Sequence, residues 1–148
     1  MQQNLPPNNL PSFPNTKFIL IGEDDTDDQE FLKEIFTEVD SSFFLLFEKN
    51  GRKIIDYLEQ LGNEGLPCLI LLDYNMPDLN GAEILGELNK KTRYKSIPKI
   101  IWSTSGSSTF RKSCLDLGAN DYFIKPSKVS DMVNLINKML SICQPEHS

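Results

Sequence analysis

The chain has 148 residues, 39% of them hydrophobic and 24% charged, with a formal net charge of −6. That length builds one domain with a sizeable core, and the composition is that of a folded chain rather than a disordered one. An acidic balance with no basic stripe argues against direct nucleic-acid binding, and no apolar run approaches the roughly 20 residues of a membrane helix.

Residues 1–15, MQQNLPPNNLPSFPN, hold four of the nine prolines and no charged side chain. They read as a flexible extension. They also lack the basic start and apolar core of a secretory signal. Cys68, Cys114 and Cys143 are odd in number and without metal-ligand spacing. They are expected to be reduced, structural thiols in a cytoplasmic protein.

From Lys17 the pattern changes. Phe18–Ile21 is a short apolar run, the first strand. Thr26–Val39 places apolar residues at 31, 32, 35, 36 and 39, which is helical spacing, with Thr26 as the expected N-cap and Gln29 its partner. Phe43–Phe47 reads as the second strand and Arg52–Leu61 as a helix closed by Gly62. Cys68–Asp73 is the third strand, followed by a helix over Gly81–Lys90. Pro98–Trp102 is the fourth strand, with a helix over Ser107–Leu117 ended by Gly118. Asp121–Ile124 is the fifth strand, and Val129–Ile142 the last helix, with a broad apolar face.

Five strand-then-helix units imply parallel strands with right-handed crossovers and helices on both faces. Strands buried on both sides explain the continuous apolar runs. In such a sheet ligands sit beyond the carboxyl ends of the strands. The segment LILLDYNMPDLNG, residues 69–81, therefore drives a buried strand outward to place Asp73 at the working edge. Strand one ends in Glu23-Asp24-Asp25, strand four in Ser103-Thr104, strand five in Lys125-Pro126. Carboxylates gathered there repel one another unless a hard cation with oxygen ligands joins them, and Mg2+ suits one or two carboxylates plus waters and a phosphate oxygen. Carboxylates, Mg2+, a lysine and a hydroxyl around one aspartate suit phosphoryl transfer to that aspartate.

Taken together, Glu23-Asp24, Asp73 with Met76-Pro77 and Gly81, Ser103, and Lys125-Pro126 after Gly118-Ala119 resemble the receiver domain of two-component response regulators. The likeness spans about residues 17–142, and the separations of 30 from Asp73 to Ser103 and 22 to Lys125 are similar to those usual in the family. It implies a flavodoxin-like (βα)5 three-layer sandwich with strand order 2-1-3-4-5 over residues 16–143, flanked by the extension 1–15 and a tail 144–148. It implies that Asp73 accepts a phosphoryl group from a histidine kinase or phosphotransfer protein. Asp24 would bind Mg2+ directly, Glu23 through water, and Asn75 through its backbone carbonyl. Ser103 and Lys125 would contact the phosphoryl group, Tyr122 would switch with Ser103, and Asn75 and Ser105 would tune its loss to water. Such a chain turns over no substrate beyond its own phosphorylation and dephosphorylation. With no room for a DNA-binding domain after the last helix, output is expected through a downstream protein at the surface of helix four, strand five and helix five; the resemblance implies that two copies can pair there too, though no diagnostic charge pattern marks it.

Some positions depart from the family pattern or take a plain reading. Gly22 stands where an apolar residue is common and is expected to loosen the strand end. Tyr74 follows Asp73 where aliphatics are usual and is expected to crowd or screen the site. Asp25, Asp27 and Asp28 are read as helix-start charges, each worth about 0.3–1 kcal/mol. Trp102 is expected to pack away from Ser103, and His147 in the tail has no role. Two other classes compete. A Mg2+-dependent phosphohydrolase with an aspartyl nucleophile needs an acid/base, usually a carboxylate two residues after the nucleophile, where Asn75 stands. A flavodoxin-like mononucleotide-binding module would cradle phosphate in Ser103–Ser108 and leave Asp24, Asp73 and Lys125 unexplained.

Overall fold

The computed structural model describes residues 18–143. The extension expected over 1–15, the tail over 144–148 and His147 lie outside the described residues. Alternating strands and helices follow in chain order: β1 Phe18–Gly22, α1 Thr26–Val39, β2 Phe44–Glu48, α2 Gly51–Glu59, β3 Leu69–Asp73, α3 Gly81–Asn89, β4 Lys99–Ser103, α4 Ser108–Asp116, β5 Asp121–Ile124 and α5 Val129–Cys143. The strands form one parallel sheet in the order β2-β1-β3-β4-β5. This is the expected flavodoxin-like arrangement.

The inner strands β1, β3 and β4 are buried at every position, whereas β2 and β5, at the edges, are not. Alternation along β1 divides the core. Leu20 faces Ile54, Leu58, Ile84 and Leu85 of α2 and α3, while Ile19 and Ile21 face Leu32 and Phe36 of α1 and Met132 and Ile136 of α5. Each such side chain contributes about 1.5–3 kcal/mol when taken from water. Trp102 packs in the α1/α5 layer, as strand alternation from Ser103 requires.

Four helix starts are capped by side chains. Asp25, rather than Thr26, caps α1 by accepting from the Asp28 amide at 2.9 Å. Gln29 does not complete a box with Thr26: its Nε2 donates to the Glu23 carbonyl at 2.6 Å. Asn50 and Ser107 cap α2 and α4, and Asn80 with Glu83 forms a capping box on α3. After α4 the chain turns at Gly118, with φ +105°, a value that favours glycine. Two short 3-10 turns, Asn63–Gly65 and Thr92–Tyr94, carry no periodic pattern and were not expected.

Two sequence expectations are corrected here. Gly22 does not loosen β1: it stays paired with Glu48 and Leu72. A Cβ there would lie 3.1 Å from Met76 Cε and 3.2 Å from Leu72 Cδ2, so the missing side chain is the space that lets Met76 pack under the acidic edge. The cysteines are not all reduced: Cys68 and Cys143 form a disulfide, with Cα atoms 5.3 Å apart. The two lie 75 residues apart in sequence, so their proximity exists only once α5 packs beside β3. Cys114 is free and buried. No helix among the described residues is long and apolar enough to cross a membrane.

Candidate functional site

The parallel register brings the strand ends to one rim. Glu23 follows β1, its amide bonded to the Glu48 carbonyl at 2.9 Å. Asp73 ends β3 opposite Trp102, and Ser103 ends β4 opposite Ile124. The Lys125 amide donates to the Ser103 carbonyl at 2.8 Å, carrying the ladder one residue past β5. Chain segments far apart in sequence thus deliver their side chains to one hollow without long loops.

Glu23, Asp24 and Asp73 each place a carboxylate oxygen within 4.8 Å of the others. Glu23 is fully buried, Asp73 nearly so, and Asp24 exposed. Two buried oxygen donors and one open to water form a donor set suited to a hard divalent cation that keeps several waters. The backbone holds the set in place: the Asp25 amide donates to Glu23 Oε2 at 3.0 Å and the Asn75 amide to Asp73 Oδ1 at 3.1 Å.

The ammonium of Lys125 is the counter-charge. Its side chain is 10% exposed and its Nζ lies 2.8 Å from Asp28 Oδ2, 3.0 Å from Glu23 Oε1 and 3.2 Å from Asp73 Oδ2. The Asp28 and Asp73 contacts are aligned hydrogen bonds; the Glu23 contact is an ion pair. Nζ also sits 5.3 Å from the centre of the Trp102 ring, within cation–π range. Burial pulls the Lys125 pKa down, but Asp28, Glu23 and Asp73 outweigh it and raise the pKa above the ordinary lysine value. Burial raises the Glu23 carboxyl to about 7; the Asp25 amide opposes this, the Asp73 charge adds to it, and Lys125 opposes it.

Ser103 is fully buried, and its Oγ accepts from the Ser105 amide at 3.0 Å. Tyr122 is buried too, its hydroxyl donating to the Ser105 carbonyl at 2.8 Å. Both residues therefore grip the same turn. Asn75 is exposed beside Asp73. Tyr74 does not screen Asp73: it packs in the α2/α3/α4 layer and stacks on Phe110 of α4, ring centres 4.6 Å apart and planes at 19°.

Asp28 is the residue that sequence reasoning missed. Read as a helix-start charge, it is the shortest ion-pair partner of Lys125. The available signal was directional: a side chain in the first turn of a helix leans toward that helix's N-terminus, which here is the rim of the sheet.

A flavodoxin-like sheet with a carboxylate trio and a lysine at its carboxyl edge defines the receiver class of signalling domain. Residues 19–137 match the family described as response regulator receiver domain, and the chain belongs to that family. Similar proteins include the two-component response regulators ORR5 of Oryza sativa subsp. japonica, 39% identical over 83 residues, and ORR11 of Oryza sativa subsp. indica, 36% identical over 83 residues; each alignment covers 56% of this chain. The matched stretch is 62% of ORR5 and 56% of ORR11, so the chain spans about three fifths of these relatives' length. Among solved structures, the phosphorylated cyanobacterial phytochrome response regulator RcpA superposes with a TM-score of 0.74 at 27% identity, over 84% of this chain and 91% of that one. The Mn(2+)-bound form of response regulator Rcp1 gives 0.73 at 27% identity, over 84% and 92%.

Proposed function

We propose that the chain is a phosphorylation-controlled receiver in which Asp73 accepts a phosphoryl group from a histidine kinase or histidine phosphotransfer protein. The observation that carries this reading is the convergence of Glu23, Asp24 and Asp73 within 4.8 Å of one another, with the ammonium of Lys125 on Glu23 and Asp73. In the transfer, a carboxylate oxygen of Asp73 forms the new P–O bond as the donor's N–P bond breaks, and the imidazole leaves with a proton. Glu23, Asp24, Asp73 and the Asn75 carbonyl would hold Mg2+, which would neutralise charge on the transferring oxygens. Lys125 pairs with the phosphoryl group on one flank. Ser103 turns its hydroxyl from the Ser105 amide toward the same group. That movement loosens the turn which Tyr122 holds through the Ser105 carbonyl, and α4 and β5 follow.

Ile124, 60% exposed, and Leu115, 36% exposed, leave apolar area on the α4-β5-α5 side. A downstream protein, or a second copy of the chain, docks there. The absence of a carboxylate at position 75 disfavours a phosphohydrolase, and the lysine paired to three carboxylates disfavours a nucleotide-binding module. A cytoplasmic setting follows from the proposed phosphodonors and not from the cysteines, two of which are paired in a disulfide.

Acetyl phosphate with Mg2+, followed by intact mass, tests the proposal. The wild type gains one phosphoryl group, the gain vanishes with EDTA, and Asp73→Asn gains none. Equal labelling of wild type and Asp73→Asn removes Asp73 from the role.

A further inference from the structure

The resting ammonium of Lys125 is already engaged. An ammonium offers three N–H donors and accepts nothing, and here one donor goes to Asp28 Oδ2 at 2.8 Å and another to Asp73 Oδ2 at 3.2 Å, with Glu23 Oε1 at 3.0 Å. The three carboxylates are not equivalent. Glu23 and Asp73 belong to the oxygen cluster with Asp24, and Asp28 does not. A cation held by that cluster would draw on the charge of Glu23 and Asp73, and Asp28 would be the anionic partner left to Lys125.

Asp28 is fixed where it acts. It lies in the first turn of α1, its amide capped by Asp25 at 2.9 Å, and its side chain is 35% exposed against 10% for Lys125. The carboxylate that grips the ammonium is therefore the more solvent-accessible of the pair. An incoming phosphoryl group meets a cation whose shortest contact is already made to Asp28.

We infer that Asp28 is a positioning residue that restrains Lys125 and competes with the phosphoryl group for its ammonium, so that it sets how readily Asp73 is phosphorylated. This rests on the reading of Asp73 as phosphoacceptor. The residue acts through Lys125 and does not touch the reacting atoms.

The test measures the initial rate of labelling by sub-saturating acetyl phosphate with Mg2+ in the full chain. Asp28→Asn labels about fivefold faster than wild type, the size of an ordinary coupling within one charged network. Asp28→Glu, which keeps the carboxylate, returns to within about twofold of wild type, and added salt shrinks the difference because the effect is one of charge. In a Lys125→Met background, Asp28→Asn leaves the rate unchanged. Thermal unfolding of each variant confirms the fold. Labelling of Asp28→Asn at or below the wild-type rate, equal rates for the Asn and Glu variants, or the same gain with and without Lys125 each overturns the inference. A folded wild type that takes up no phosphoryl group overturns the phosphoacceptor reading itself, an outcome distinct from the others.

Discussion

Two lysines sit at opposite ends of the sheet, Lys99 buried and Lys125 half-buried, and the comparison separates a structural ammonium from the candidate functional one. Lys99, at the start of β4 and 4% exposed, donates to the carbonyl oxygens of Tyr94 at 2.7 Å and Ile97 at 2.8 Å. It closes the short turn before the strand, and burial lowers its pKa. Lys125, just past β5, is held by Asp28, Glu23 and Asp73, and its pKa is raised. Carbonyl dipoles satisfy an ammonium but leave its charge uncompensated. Carboxylates compensate the charge and make it answer to any new cation or anion that enters. Burial alone is thus a weak sign of a working lysine; burial among groups that bind something else is a strong one.

Replacing each lysine sharpens that contrast. Lys125→Met strands three carboxylates together and costs about 3–5 kcal/mol in EDTA, as removing one partner of a buried pair does. Mg2+ restores much of this because it supplies the missing positive charge. Lys99→Met costs about 1–3 kcal/mol by leaving the Ile97 carbonyl without its donor, while the Tyr94 carbonyl keeps the Ile97 amide, and Mg2+ does not recover it. Urea unfolding with and without Mg2+ reads both; equal responses to the metal would break the comparison.

Next in size is the Cys68–Cys143 bridge. It sits at the end of β3 opposite Asp73, closing a separation of 75 residues. Its reduction, or Cys68→Ser, lowers stability by roughly 2–4 kcal/mol. The labelling rate with acetyl phosphate stays at the wild-type value, since the bridge is remote from the carboxylates. A change in rate that exceeds the change expected from unfolding contradicts this separation of the two ends.

A further effect is the pH dependence of the metal-free protein. Glu23 has a folded pKa of about 7 against an ordinary value of 4.5. Between these values the native state holds a proton that the unfolded state has lost. Stability from this group is therefore complete below about pH 4.5 and falls as pH rises toward 7. Glu48, raised by burial, adds a slope of the same sign. Thermal unfolding in EDTA across pH 4.5 to 8 records the fall, and Glu23→Gln flattens it. With Mg2+ saturating, the slope reverses, because the metal takes the deprotonated form.

The fold was legible because the physics that makes it is local. Continuous apolar runs such as Leu69–Leu72 fit only a strand covered on both faces, and helical spacing such as that of Thr26–Val39 fits only a helix with one buried side. The site was legible where a polar residue interrupts such a pattern at a strand end, as Asp73, Ser103 and Lys125 do. Relations across long separations were not. Asp28 is 97 residues from Lys125, and the charge of a helix start accounts for it without any partner. Cys68 and Cys143 carry no spacing that marks them as a pair. Tyr74 looked like a screen over Asp73 because nothing local reveals Phe110, 36 positions on, as its stacking partner.

The most direct test of the account is to find where the phosphoryl group goes. Acetyl phosphate and Mg2+ label the chain, borohydride reduces the acyl phosphate to an alcohol, and peptide sequencing by mass locates the change. The account predicts homoserine at position 73 alone. Homoserine at position 24 or 28, or none in a protein that has gained the mass of a phosphoryl group, would contradict it.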